Sequence, residues 1–375
     1  MILRGYSMKN RFPCQLGISL AVVFGLLLLG LTAAAQAPEG PQSTAPPQTQ
    51  TKPPEKAAQP QQKKPEDAGV TISVEVPVVT LDVIATTTNG DIIPGLKKDN
   101  FKILEDGVPQ SITNFAPSDA PITMVLLLEF DNVFGGWFSG QAKYWADALF
   151  PNLNQKDWIA LVTFDMKPRM EVDFTQNKDE VRAAISRLYF PGFSESNLFD
   201  AVLDTVDRLK DVKGKKSILV LASGVDTFSK HTLDQTMKLL RQTDTTIFVV
   251  GVDKPITNYL EMHRGLGSMN RLNFLQGESQ LKAFASMTGG FAWFPQFDGE
   301  IPGIMREVAA FLRHQYSLTY TPSNHTPDGK FRKVKVELVA PDGGPLTVVD
   351  QKGKKQKIVV YAREGYQAPK GGVGD

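Results

Sequence analysis

The chain has 375 residues, of which 42% are hydrophobic, so it can bury one or two cores of ordinary size. Its 41 basic and 40 acidic residues give a formal net charge of +1, and no overall field favours nucleic acid as a partner. The single cysteine, Cys14, excludes an internal disulfide, so stability must come from packing or from metal.

Residues 1–35 have the features of a secretory signal peptide. Three basic residues precede an apolar run from Leu16 to Ala35, which ends in small residues. We expect cleavage before Gln36 and export to the periplasm or the cell exterior. The alternative is an uncleaved membrane anchor, because the run is just long enough to span a bilayer, which takes about 20 apolar residues. The protein would contact a membrane only through a retained leader.

Residues 36–69 are rich in Pro, Gln and Lys and almost free of large apolar residues. Such a composition cannot form a core, and it predicts an extended, disordered linker.

Residues 70–117 have the texture of β-strands. β-branched residues nearly alternate with polar ones, and Asn89-Gly90 and Asp106-Gly107 are typical of tight turns between strands. This segment is predicted to be the N-terminal part of an all-β region.

Residues 118–314 alternate between apolar runs and amphipathic segments. The runs are Ile122–Phe130, Trp158–Phe164, Ser217–Ser223, Thr245–Val252 and Gly290–Pro295. Continuous apolar runs are expected for parallel strands that are covered on both faces. One intervening helix has Asn177 as its N-cap, with Glu180 three residues later. The pattern predicts a Rossmann-like, doubly wound α/β domain.

Residues 315–368 return to β texture, and residues 369–375 form a tail. Neither flanking β segment offers many strands alone. The simplest architecture inserts the α/β domain into one β region built from both flanks, and two independent β modules are the alternative.

The sequence contains few catalytic patterns. The Gly-x-Ser-x-Gly elbow of hydrolases is absent, and no cysteine remains after leader cleavage to act as a nucleophile. The four histidines, at positions 231, 263, 314 and 325, lack the spacing of a zinc site. We therefore expect a non-enzymatic protein without a small-molecule cofactor.

Three polar segments are predicted to meet at the carboxyl ends of the parallel strands, where open α/β sheets bind ligands. They are "EFDNV" after the first strand, "SESNLFDA" before a helix, and "SGVDTFSK" after a central strand. If the first strand continues, Glu129 and Asp131 project from the same side because they are two residues apart.

These segments resemble the metal-ion-dependent adhesion site of von Willebrand factor type A domains, which begins with Asp-x-Ser-x-Ser. The chain from about residue 74 to 369 also resembles the related domain of secreted bacterial proteins, best known from acidobacteria, in stretches such as "GLKKDNFKILEDGVPQSITNF", "MTGGFAWFP" and "LRHQYSLTYTP". The resemblance implies a Rossmann-like domain beside a β region and a role in protein binding.

Carried over residue by residue, the resemblance implies an altered adhesion site. Glu129 stands at the first Asp position, Asp131 at the first Ser position, and Val133 at the second Ser position, where a valine cannot bind metal. Ser196 takes the Thr position.

The distal Asp of the adhesion site has no direct counterpart. Ser223 stands at its position, and Asp226 follows three residues later. Candidate metal ligands are therefore Glu129, Asp131, Ser196 and Asp226, which could hold Mg²⁺ or the more tolerant Ca²⁺. The alternative is that these acids are hydrated at a strand end without metal and that Ser223 keeps a hydrogen bond where a metal would otherwise sit.

The loop after the first strand suggests a second means of binding. Asn132, Phe134 and Trp137 lie beside the crevice, and exposed aromatic residues commonly anchor protein interfaces. The alternative is that these rings pack into the core beneath the first helix.

We expect an exported protein-binding or adhesion-type module with weakened or lost metal dependence. Two other functions stay open: a metal-dependent hydrolase that uses Glu129 and Asp131, and a structural scaffold of the cell envelope with a vestigial site.

Overall fold

A computed structural model describes residues 78–116, 120–138, 141–188, 193–263, 268–349 and 353–370. Within these ranges the side chains of residues 133, 134, 136, 263 and 268–271 are not described. The predicted leader, the linker and residues 371–375 of the tail lie outside the described residues.

The described residues form strands and helices that alternate in the middle of the chain. The strands are β1 (Val79–Thr87), β2 (Phe101–Glu105), β3 (Val108–Gln110), β4 (Ile112–Ala116), β5 (Ile122–Glu129), β6 (Trp158–Phe164), β7 (Pro168–Thr175), β8 (Lys215–Ala222), β9 (Thr246–Gly251), β10 (Ala292–Trp293), β11 (Tyr316–Tyr320), β12 (Phe331–Leu338), β13 (Val348–Val349), β14 (Lys355–Gln356), β15 (Ile358–Tyr361) and β16 (Gly365–Gln367). The helices are α1 (Asn132–Phe138), α2 (Ala142–Leu149), α3 (Lys178–Ser186), α4 (Leu198–Leu209), α5 (Leu233–Leu240), α6 (Asp253–His263), α7 (Ser268–Thr288) and α8 (Ile301–Arg313).

Two antiparallel sheets form a β-sandwich. Their strand orders are β15-β1-β11-β4 and β16-β12-β2-β3, so each sheet contains strands from both flanks of the α/β domain. Leu81 and Leu318 from one sheet share a core with Ile103 and Val336 from the other. This pairing confirms the predicted all-β region built from both flanks, and it does not fit two independent β modules.

A six-stranded sheet with the order β10-β9-β8-β5-β6-β7 forms the α/β domain. All its strands are parallel except β7, which pairs antiparallel with β6 at the edge. The predicted α/β fold class is therefore confirmed. The strand β7 was not predicted, because its segment "PRMEVDFT" mixes charged with apolar residues as a half-exposed edge strand does.

Helices cover both faces of this sheet. Leu126 and Leu128 of β5 face a core that includes residues of α2 and α8, whereas Val125 and Leu127 face a core that includes residues of α4 and α7. The continuous apolar run of β5 is explained by this burial on both faces. None of the helices in the described part of the chain combines the length and the apolar character that a membrane span requires.

Local signals in the sequence fix several element ends. Asp106 and Gly107 have φ values of +47° and +85°, as expected for a tight turn between β2 and β3. The Asn177 side chain accepts hydrogen bonds from the backbone N–H groups of Asp179 and Glu180 and caps α3. These turn and cap predictions are confirmed.

Candidate functional site

The carboxyl ends of β5 and β8 form one edge of a pocket of about 200 Å³. Parallel strands bring their carboxyl ends to the same edge of a sheet, which is why these segments meet. The pocket is lined by Glu129, Asp131, Ser194, Ser196, Ser223, Val225, Thr227, Ile256, Leu260, Asn273 and Phe274. The predicted crevice therefore brings together three of the four candidate metal ligands.

Glu129 ends β5 and is only 1% exposed. One carboxyl oxygen accepts a hydrogen bond from the backbone N–H of Ser223 at 2.5 Å, and the other accepts one from the Ser223 hydroxyl at 3.1 Å. Burial, and then the nearby negative charge of Asp131, raise the pKa of Glu129 to about 8, although both Ser223 hydrogen bonds oppose the shift. Glu129 therefore holds a proton more readily than an exposed glutamate.

Asp131 follows two residues later and is 7% exposed. Its main-chain carbonyl accepts a hydrogen bond from the backbone N–H of Gly135 at 2.8 Å, which fixes it at the start of α1. Because Asp131 and Glu129 line the same pocket, the pocket carries two acidic groups in a poorly hydrated place.

Ser196 is held by its main chain against the loop that follows β8. Its N–H donates to the Thr227 hydroxyl at 2.9 Å, and its carbonyl accepts from the N–H groups of Thr227 and Phe228 at 2.8 and 2.9 Å. The Ser196 side chain is 2% exposed and lines the pocket beside Glu129. A hydrogen bond from its hydroxyl to the Glu129 carboxyl opposes the rise in the pKa of that group, as the Ser223 hydrogen bonds do.

Asp226 does not line the pocket. Its carboxylate accepts hydrogen bonds from the backbone N–H of Phe199 at 3.2 Å and from the Ser229 hydroxyl at 2.5 Å. Burial raises the pKa of Asp226, and these hydrogen bonds oppose the rise. The structure thus uses Asp226 to hold the start of α4, apart from the other three candidate ligands.

The aromatic residues after β5 belong to helix α1, and Trp137 is not the exposed anchor that the sequence suggested. Trp137 is 4% exposed, its indole N–H donates to the Asp298 carboxylate at 3.0 Å, and its ring lies 5.1 Å from that of Trp145. Trp137 is therefore a core residue, and its prediction as an exposed contact needs correction. Asn132 is exposed and donates to the Ser194 hydroxyl at 3.2 Å. The side chains of Val133 and Phe134 lie outside the described residues.

An apolar wall of the pocket was not predicted. It consists of Ile256 and Leu260 from α6 and Phe274 from α7. The spacing of Ile256, Tyr259 and Leu260 indicates a helix, but nothing in that spacing shows which face meets the strand ends.

Two glycines bring α7 onto the strand-end loop. Gly224 has φ of +83°, and a Cβ atom added at Gly277 would lie 2.7 Å from the carbonyl carbon of Gly224. Only residues without side chains allow the two backbones to approach so closely. This contact fixes α7 beside Ser223, which is how Phe274 comes to line the pocket.

The residues present do not fit the metal arrangement of the adhesion site. Among the described residues, no group of three or more His, Cys, Asp or Glu side chains is placed to hold a metal ion. Both oxygens of Glu129 already accept hydrogen bonds from Ser223, which occupies the position of the distal acid. Asp131 and Ser196 add oxygens of the kind that Mg²⁺ and Ca²⁺ bind, but they leave the coordination incomplete.

A comparison with known protein families gives a match over part of the chain. Residues 136–284 match the family model of the von Willebrand factor type A domain. A comparison with curated proteins finds no match.

Several solved structures are similar at low identity. The chain resembles a von Willebrand factor type A protein from Catenulispora acidiphila at 9% identity and TM-score 0.38, over 72% of this chain and 75% of that chain. It resembles the vWF domain of the type V pili tip protein Mfa5 from Porphyromonas gingivalis at 10% identity and TM-score 0.38, over 51% and 95% of the two chains. It also resembles proximal thread matrix protein 1 from the mussel byssus, with a zinc-occupied MIDAS motif, at 13% identity and TM-score 0.38, over 56% and 49%.

Sequence identities and TM-scores as low as these support no conclusion about the function of this chain. From the family match over residues 136–284 and the strand order β10-β9-β8-β5-β6-β7, we conclude that the α/β part of this chain has the fold of a von Willebrand factor type A domain.

Proposed function

We propose that this protein is an exported, non-enzymatic binding protein that captures another protein at its strand-end crevice, with metal dependence weakened or lost. The observation that carries the proposal is the pocket itself, with two buried acids, a buried serine hydroxyl and an apolar wall. Pockets with a few polar groups set among apolar ones are the usual form of a binding site. The predicted leader and the resemblance to secreted bacterial proteins support export.

The metal question is tested by calorimetric titration of the protein with Mg²⁺, Ca²⁺ and Mn²⁺. We expect no saturable heat, or only weak binding, because Ser223 already occupies both oxygens of Glu129. Asp131→Ala is the control variant. Tight binding that the control abolishes would show that a complete adhesion-type site forms, and the metal part of the proposal would fail.

Partner capture is tested by photo-crosslinking in cells. The side chain of Phe228 is 50% exposed and directly follows the pocket-lining Thr227, so benzoylphenylalanine at position 228 reports on the mouth of the pocket. Tyr144 on α2, which is 64% exposed and does not line the pocket, is the matched control position. We expect discrete protein adducts from position 228 and none of the same size from position 144. Adducts from neither position, or the same adducts from both, would favour a scaffold with a vestigial crevice.

The hydrolase alternative has less support. Hydrolysis assisted by metal needs an ion that activates water and a group that accepts the proton. The described ligands do not complete a metal site, and the carboxyl group of Glu129 is held by Ser223 rather than open to a substrate.

A further inference from the structure

The strand β4 leaves one edge of the sandwich open. It pairs with β11 on one side, and among the described elements only β11 packs against it extensively. In an antiparallel ladder the backbone groups of alternate residues point away from the partner strand. Among the described residues, no backbone hydrogen bond outside the ladder involves β4. The outer edge of β4 can therefore pair with another strand.

This edge lacks the protection that other open edges of the molecule have. Natural proteins blunt edge strands with charged residues, with proline or by keeping them very short. The edge strand β3 of the other sheet has three residues and contains Pro109, and β7 at the edge of the α/β sheet carries charged residues. The opposite edge of the β4 sheet, β15, lies beside the α/β domain, with the ring of Tyr361 5.1 Å from that of Phe291. In contrast, β4 has the sequence "ITNFA", with neither a charge nor a proline.

The open edge also leaves apolar side chains incompletely covered. Ile112 and Phe115 of β4 pack against the core of the sandwich but are only partly buried. The ring of Phe115 lies 5.9 Å from that of Phe101 and 6.1 Å from that of Tyr316, so the core continues to this edge. A further strand here would cover these side chains and pair with the free backbone groups.

The chain contains a segment that fits such an edge. Residues 70–76 have the sequence "VTISVEV", in which apolar and polar residues alternate without exception, and they end shortly before the first described residue. In a strand, Val70, Ile72, Val74 and Val76 would share one face. One strand with an apolar face is not stable alone, and it needs a sheet against which that face is buried.

The reach of the chain favours the edge of a second copy. Val79 of β1 lies opposite Tyr320 of β11, and Tyr320 lies opposite Ile112 of β4. A strand outside β4 would therefore be three strand spacings from Val79, which is about 14 Å. The chain from Val76 to Val79 spans at most about 11 Å. Within one molecule the segment could pair only after giving up its last residues, whereas the edge of a second copy can accept the whole segment.

We propose that copies of this protein assemble by strand addition, in which residues 70–76 of one copy pair with β4 of the next. The backbone hydrogen bonds supply affinity, and burial of the apolar face fixes the register. Because two different surfaces meet, the contact is heterologous and can continue from copy to copy. The assembly does not depend on the strand-end crevice, and every copy keeps its own.

Disulfide crosslinking between two differently tagged versions of the full chain tests this contact. Both versions carry Cys14→Ser, which removes the only native cysteine. The first version has one new cysteine on the polar face of the segment: Thr71→Cys, Ser73→Cys or Glu75→Cys. The second has Asn114→Cys, at an exposed position of β4. After co-expression and oxidation of the lysate, we expect a heterodimer with both tags from one of the three positions, because only directly opposed residues bring their Cα atoms within about 4–7 Å.

Two lysine substitutions test which face of the segment is buried. Val74→Lys places a charge on the apolar face, and we expect its assembly, measured by sedimentation velocity, to be weaker by about tenfold or more. Ser73→Lys is the matched control, because it adds the same charge one residue away on the polar face. It should assemble as the unmodified chain does. A far-UV circular dichroism spectrum checks that both variants fold.

A heterodimer with both tags, together with assembly that only Val74→Lys weakens, supports strand addition between copies. A disulfide within single chains that carry both cysteines, without heterodimers, would show that the segment pairs with its own β4 and would overturn the proposal. Heterodimers that form equally well when Tyr144→Cys, exposed on α2, replaces Asn114→Cys would overturn it too. Unchanged assembly of Val74→Lys, or a monomer at all concentrations without crosslinks, would do the same.

Discussion

Glu129 is a buried acid of the crevice whose pKa is raised by its surroundings. Its position at the end of β5 follows from the apolar run that precedes it, but β5 ends there, so Asp131 lies beyond the strand and strand alternation does not place it. Its attachment to Ser223 was foreseen only as a hydrogen bond in place of a metal. Asp226 could not be placed from the sequence, because a loop with Gly224 at φ of +83° can direct later side chains either way.

The raised pKa of Glu129 predicts an unusual dependence of stability on pH. The folded protein holds this proton until about pH 8, whereas the unfolded chain loses it near pH 4.5. Between these values the folded state binds more protons, so the contribution of Glu129 to the free energy of unfolding falls as pH rises. Urea denaturation across this range, in buffer with a chelator, measures the slope.

The substitution Glu129→Gln isolates the effect. Glutamine resembles the protonated glutamate and does not titrate, and it can still pair with the N–H and hydroxyl groups of Ser223. We expect the variant to lose part of the decline, so that its advantage over the unmodified protein grows from about pH 4.5 to about pH 8. Parallel pH profiles for the two proteins would contradict this account.

The helices α6 and α7 decide the shape of the crevice at the level of elements. Neither helix was predicted, and α7 in particular has no clear apolar stripe that would indicate a helix packed on one face. The strands and the caps were predictable because their signals are local. The seating of α7 depends on a long-range contact between Gly277 and Gly224, which no local pattern reveals.

This contact predicts opposite results for two glycine-to-alanine substitutions in helices. Gly277→Ala should lower the free energy of unfolding by about 1–3 kcal/mol, because its Cβ would meet the backbone of Gly224 and outweigh the gain in helix propensity. Gly303→Ala in α8 meets only the far end of Arg306, at 4.0 Å, and should raise stability by up to about 1 kcal/mol. Urea denaturation compares the two, and equal effects would show that the close approach is not important.

At the scale of the whole molecule, one buried carboxylate joins the two sheets of the sandwich. Glu105 of β2 is 2% exposed and accepts hydrogen bonds from the hydroxyl of Tyr320 in the facing sheet, at 2.7 Å, and from that of Tyr366 on β16, at 3.0 Å. Burial and the neighbouring Glu105 raise the pKa of both tyrosines, so they remain donors throughout the physiological range. The sequence predicted the shared β region but not this junction, since its three residues are far apart in the chain.

Removing both tyrosine hydroxyls should lower the free energy of unfolding by more than the sum of the two single losses, because the two hydroxyls share Glu105 as acceptor. Tyr320→Phe is expected to lower the free energy of unfolding by about 1.5–3 kcal/mol, the range for hydrogen bonds to charged groups. Adding Tyr366→Phe leaves the carboxylate without either hydroxyl, and a further Glu105→Gln should recover part of the loss by removing the buried charge. Denaturation of these three variants and of Tyr366→Phe alone measures this, and simple additivity with no recovery would argue against a shared role.

The pairing of β4 with β11 has a mechanical consequence. Ala116, where the chain leaves the sandwich for the α/β domain, lies opposite Ser317, where it returns. A force applied to the α/β domain therefore reaches the sandwich through two adjacent strands that are drawn in the same direction. The hydrogen bonds between β11 and β1 then resist in shear and share the load, instead of opening one after another. We expect single-molecule pulling between a residue of the α/β domain and residue 370 to give a higher rupture force than pulling the ends of β2 and β3 apart.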